Sequence, residues 1–113
     1  MSSRITSQLL VQALIRRTQA DGGFAAVLHK GDAIAGAIIV QAVDADRRTQ
    51  LFERISDFSG GYKLLPIATQ SGIDPDTLTQ YIDRRVRSDP DIWIIELDVP
   101  NVERLAADIL TGC

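Results

Sequence analysis

One hundred and thirteen residues, 12.4 kDa, make one ordinary domain, long enough to enclose a single core and too short for two. With 45% hydrophobic and 24% charged residues the composition is globular, which excludes disordered, collagenous and mucin-like chains. Twelve Lys+Arg against 15 Asp+Glu leave a net charge of -3, so no global positive field draws the protein to nucleic acid or anionic lipid.

From Ile5 to Gln19 apolar residues recur at helical spacing (Ile5, Leu9, Leu10, Val11, Ala13, Leu14, Ile15). They cover more of the circumference than one buried stripe needs, so this helix is expected to make two apolar contacts. One account wedges it between a sheet and another helix; the other makes its second contact a homodimer interface. Arg16 and Arg17 suit the last turn, and Asp21-Gly22-Gly23 ends it. Phe24–His29 and Ile34–Val43 read as strands, joined as a hairpin through Lys30-Gly31-Asp32-Ala33. The uninterrupted second run fits a central strand covered on both faces. Gly36 within it predicts a bulge or a close approach from elsewhere.

A polar turn, Asp44 to Thr49, leads to Gln50–Phe58, and Ser59-Gly60-Gly61 leads to Tyr62–Ile67. Both read as outer strands, the first for its interspersed charge and the second for Pro66, which completes an expected four-stranded meander. The next helix is signposted by Asp74 as cap, Pro75 at the first position and Asp76 in the first turn. Leu78, Tyr81, Ile82 and Val86 form its apolar stripe, with Asp83, Arg84 and Arg87 opposite and Arg85 at the border. Ser88-Asp89-Pro90 ends it, Ile92–Asp98 follows as an inner strand, and Pro100-Asn101 opens a last helix with Val102, Leu105, Ala106, Ile109 and Leu110 on one face. The order αββββαβα over residues 1–113 predicts a single α+β domain, with helices packed on a largely antiparallel sheet of about five strands.

Two blocks, RITSQLLVQALIRRTQADGGFAAVLHKGDAIAGAIIV at 4–40 and YIDRRVRSDPDIWIIELD at 81–98, resemble an uncharacterised family of small bacterial proteins, a domain of unknown function. The resemblance spans nearly the whole chain and implies a compact stand-alone α+β protein. It carries no activity, cofactor or catalytic residue onto these positions.

The longest apolar run, around Ala37–Val40, is far too short to span a bilayer. The N-terminus does not read as a secretion signal, and a lone Cys113 closes no intrachain disulfide, which together point to the cytoplasm. One histidine, His29, and one cysteine do not supply a structural zinc site, and no cofactor is implied. Lys30-Gly31-Asp32 lacks the spacing of a phosphate loop and reads as a turn.

The densest polar cluster runs from Arg84 to Glu96. Helical spacing sets Arg84 and Arg87 side by side, so with Arg85 they form a candidate anion site to which Trp93 adds a flat wall. Strand alternation puts Ile92, Ile94 and Glu96 on one side and Trp93, Ile95 and Leu97 on the other. A carboxylate among isoleucines needs a partner, and Arg85 is the expected one. The leading functional expectation is a cytoplasmic, non-enzymatic binding or assembly module, homodimeric through the first helix, whose partner is a protein or a small anion. The rival is a small enzyme using Asp89, Asp91 or Glu96 as acid or base, with arginines clamping an anionic substrate.

Overall fold

The computed structural model describes residues 5–43, 46–67 and 74–112. The start of the polar turn at Asp44, and Cys113, lie outside them. In chain order the elements are α1 (Ser7–Ala20), β1 (Phe24–His29), β2 (Ile38–Val43), β3 (Thr49–Ser56), β4 (Tyr62–Ile67), α2 (Pro75–Ser88), β5 (Trp93–Asp98) and α3 (Val102–Leu110). The expected order of helices and strands holds, and the fold is α+β. The sheet is mixed, in the order β1-β5-β2-β3-β4, with β2 and β5 parallel and every other pair antiparallel.

That order corrects the expected hairpin. Residues 24–29 and 38–43 do not pair, because β5 lies between them and bonds to both. The physical reason is burial: Ile94, Ile95 and Leu97 of β5 and Ile38, Ile39 and Val40 of β2 are all essentially inaccessible. Strands apolar on both faces belong at the centre, and a parallel pair with helices above and below is the usual solution. The meander therefore shrinks to β2-β3-β4. Of the two segments expected outside, only β4 is an edge; β3 is interior, and its charged residues find partners on the two faces of the sheet.

The segment between β1 and β2 crosses the start of β5 instead of turning tightly. Asp32 anchors it: its carboxylate accepts from the amides of Ile34 (3.1 Å) and Ala35 (2.9 Å), its own amide donates to the Asp91 carbonyl (2.9 Å), and its carbonyl accepts from the Trp93 indole (2.8 Å). β2 begins only at Ile38, so Gly36 lies before the strand, and its expected close approach is to Asp91. A Cβ at Gly31 or Gly36 would collide with the Asp91 carbonyl oxygen, so only glycine lets the crossover lie flat on the chain entering β5.

The same crossover closes the start of α1. Thr6 caps the Leu9 amide, while the amides of Ser7 and Gln8 donate to the carbonyls of Ile34 (3.1 Å) and Ala33 (2.9 Å), so the free donors of the first turn are taken up. At the other end Asp21 and Gly22, with φ at +83°, stop the helix as expected.

α1 and α3 pack on one face, where Leu10, Leu14, Leu105 and Leu110 meet Val40, Phe52, Trp93 and Leu97. α1 makes both expected contacts, with the sheet through β1 and β5 and with α3 at its side. The other face belongs to α2, which the β4-α2-β5 crossover carries over β3 and β2. Its stripe, Leu78, Tyr81, Ile82 and Val86, packs on Ile39, Leu51, Ile92 and Ile94 but is only partly buried. Asp74 caps α2, accepting from Asp76 and Thr77, with Pro75 first in the helix. Asn101 holds the cap position of α3 in a left-handed conformation, without the side-chain hydrogen bond expected of it.

Candidate functional site

The structure separates the residues of the expected anion site. Arg84, Arg85 and Arg87 lie on α2, over one face of the sheet. The Trp93 side chain is on the other face, buried among α1 and α3, with its indole N–H taken by Asp32. It forms no wall beside the arginines. Arg84 and Arg87 are exposed, whereas Arg85 turns inward.

Arg85 is paired with Glu53 of β3, not with Glu96. Its two terminal nitrogens donate to the two Glu53 oxygens at 3.0 and 2.8 Å, a fork-to-fork geometry, and Nη1 also reaches the Tyr81 hydroxyl at 2.7 Å. The hydrogen bonds to Glu53 hold the guanidinium above its ordinary value against the opposing effect of burial. The expected Arg85–Glu96 pair fails because α2 crosses β3 and β2, while Glu96 sits on β5 beside Gln41 of β2.

The alternative acid and base candidates are scattered. Asp89 ends α2 and accepts from the Asp91 amide (3.1 Å), Asp91 is exposed and engages the crossover through its carbonyl, and Glu96 is partly buried on the sheet. His29 ends β1 as expected, its Nδ1 2.7 Å from the Ile92 carbonyl oxygen. Among the described residues no group of three or more His, Cys, Asp or Glu could hold a metal ion, and no helix is long and apolar enough to cross a membrane.

A different constellation comes together on the α1/α3 face, in a groove of about 550 Å³ between the start of α1, the crossover, the β3-β4 hairpin and the end of α3. Its walls are mainly aliphatic: Ile5, Leu10, Ile34, Ile38 and Ile109. Ile5 and Ile34 form the lip, at 63% and 67% exposure. Ile5, expected on the first helix, lies before α1 and lines this groove.

Arg54 stands in the groove with Ser56 and Tyr62. In β3, alternation sends Leu51 and Glu53 toward α2 and Phe52 and Arg54 toward α1 and α3. The Arg54 guanidinium stacks 3.5 Å from the centroid of the Tyr62 ring, and its Nε donates to the Leu110 carbonyl at 2.7 Å. This bond closes the last turn of α3, which has no basic residue of its own, and sets the cation at the negative end of that helix. Burial pushes the guanidinium below its ordinary value. Tyr62 opposes part of that effect, and among the described residues no carboxylate pairs with Arg54. By contrast Arg17, Arg47, Arg48 and Arg85 each meet an aspartate or glutamate.

Sequence reasoning passed over Arg54 because three arginines in four residues of α2 form a louder signal. The available clue is phase: Arg54 is the one charged residue of Phe52-x-Arg54-x-Ser56 and alternates with the apolar face of its strand.

Comparison with known proteins places the chain. A crystal structure of a DUF1491 family protein from Caulobacter crescentus CB15 is 38% identical, with a TM-score of 0.75 over 84% of this chain and 88% of that one. An NMR structure of a DUF1491 family protein from the same organism is 34% identical, with a TM-score of 0.78 over 92% and 94%. The solution structure of protein Atu0922 from A. tumefaciens is 28% identical, with a TM-score of 0.71 over 96% and 93%. No curated protein matches the chain. Residues 5–107 match the family described as protein of unknown function (DUF1491), and the chain belongs to that family.

Proposed function

We propose that the protein is a cytoplasmic binding module, and that its ligand is a small anion with an apolar body, such as a medium-chain carboxylate, held in the groove beside Arg54. The carrying observation is a guanidinium that meets no carboxylate among the described residues. A partly buried cation is costly without a counter-charge. Here the Nε bond to Leu110 and the Tyr62 ring fix the side chain, and no carboxylate among the described residues meets its terminal donors, which a ligand anion would do. A planar fork suits a carboxylate, and the aliphatic walls suit a hydrocarbon chain. The enzymatic reading gains no support, because Asp89, Asp91 and Glu96 do not line this groove.

Isothermal titration with decanoate, below its micellar concentration, tests the reading. Saturable binding of one decanoate per chain is expected, with decanol binding more weakly. Arg54→Gln removes a charge-assisted interaction of about 1.5–3 kcal/mol, so affinity is expected to fall roughly tenfold to a hundredfold while circular dichroism stays unchanged. Binding that is indifferent to Arg54→Gln, or no saturable binding, overturns the proposal.

A further inference from the structure

The two edges of the sheet are built differently. β4 carries Lys63 and Pro66, devices that discourage a further strand. β1, Phe24-Ala-Ala-Val-Leu-His29, has no proline and no acidic, lysine or arginine side chain, and its outer side pairs with no strand among the described residues. Phe24, Val27 and Leu28 are 58%, 43% and 48% exposed. A long apolar edge of this kind is a template for pairing.

We infer that β1 is a self-association edge, on which the β1 strand of a second copy of this chain adds in antiparallel sense to make a continuous ten-stranded sheet from two five-stranded ones. The occupant follows from self-complementarity. A two-fold axis normal to the sheet keeps equivalent faces together, so facing residues must share a face. With Ala26 on the axis, Ala25 faces Val27 of the second copy, both on the side of α1. The charges that flank the strand agree with the antiparallel sense. Asp21, which also meets Arg17, precedes β1 and Lys30 follows it, so antiparallel pairing brings the basic end of one copy's strand to the acidic end of the other's. The bulge between Val27 and His29 marks where the flat part of the edge ends, so the pairing centres on Phe24–Val27.

Light scattering coupled to size exclusion, over about 5 to 500 µM as suits a small interface, reads the result. The unmodified protein is expected to rise from 12.4 kDa toward twice that mass. Val27→Lys, which sets two like charges near the axis, is expected to stay at the monomer mass throughout, while Leu65→Lys on the opposite edge keeps the association. If Val27→Lys does not fold, amide exchange of the unmodified protein decides: protection at Phe24–Val27 that grows with concentration supports the edge. A monomer at the highest concentration overturns the inference. So does a dimer that survives Val27→Lys, or concentration-dependent protection confined to α1 around Leu9. None of these outcomes depends on the decanoate titration.

Discussion

Two helices cover one face of the sheet and a single helix covers the other, and the two sides differ in depth. On the α1/α3 face Leu14, Val40, Ile95 and Ala106 are wholly inaccessible. On the α2 face the sheet residues Ile39, Ile92 and Ile94 are just as buried, yet no residue of α2 itself is. The deep side is held chiefly by apolar packing, aliphatic side chains with Phe52 and Trp93. The shallow side adds a polar clasp, Arg85 with Glu53 and Tyr81. A helix with few buried contacts opens locally at lower free energy than the global transition, so α2 is expected to exchange its amides before α1.

Leu14→Ala should break the deep side. Leu14 is fully buried where α1 meets the sheet, and removing such a side chain forfeits transfer energy and leaves a cavity. A loss of about 3–5 kcal/mol is expected in chemical denaturation, a large share of a domain this small. Arg85→Ala should cost less, about 1–3 kcal/mol, because the pair it breaks is partly open to solvent but leaves Glu53 half-buried without its partner. The sharper measurement is hydrogen exchange: Arg85→Ala is expected to speed exchange in α2 and leave α1 unchanged. Equal acceleration in both helices would mean that the two sides are one cooperative unit.

This contrast explains which parts of the molecule were legible in the sequence. Elements announce themselves through local chemistry: Asp74-Pro75-Asp76 opens α2, Asp21-Gly22 closes α1, and the isoleucine runs mark the two central strands. Strand order is not local. Eight residues between His29 and Ile38 can close a hairpin or cross a strand, and the choice is made by β5, some fifty residues later, whose apolar faces demand the centre of the sheet. The partner of Arg85 was hidden for the same reason. Both Glu53 and Glu96 project toward α2, and only the path of the β4-α2-β5 crossover selects Glu53. Arg54 was readable as a charge in phase with an apolar face, but that no carboxylate among the described residues meets it is a fact of three dimensions.

The smallest expected effect separates the two sides by function. Arg84 and Arg87 are exposed on the outer side of α2, so the double substitution Arg84→Gln with Arg87→Gln should change stability by no more than about 0.5 kcal/mol. It should also leave decanoate binding intact, because the sheet stands between α2 and the groove of Arg54. Losing two positive charges weakens any long-range attraction slightly, an effect that salt removes. If the double variant binds decanoate as poorly as Arg54→Gln, at high salt as well as low, the anion is held on the α2 face. The convergence of guanidinium groups expected from the sequence would then outweigh the single one in the groove.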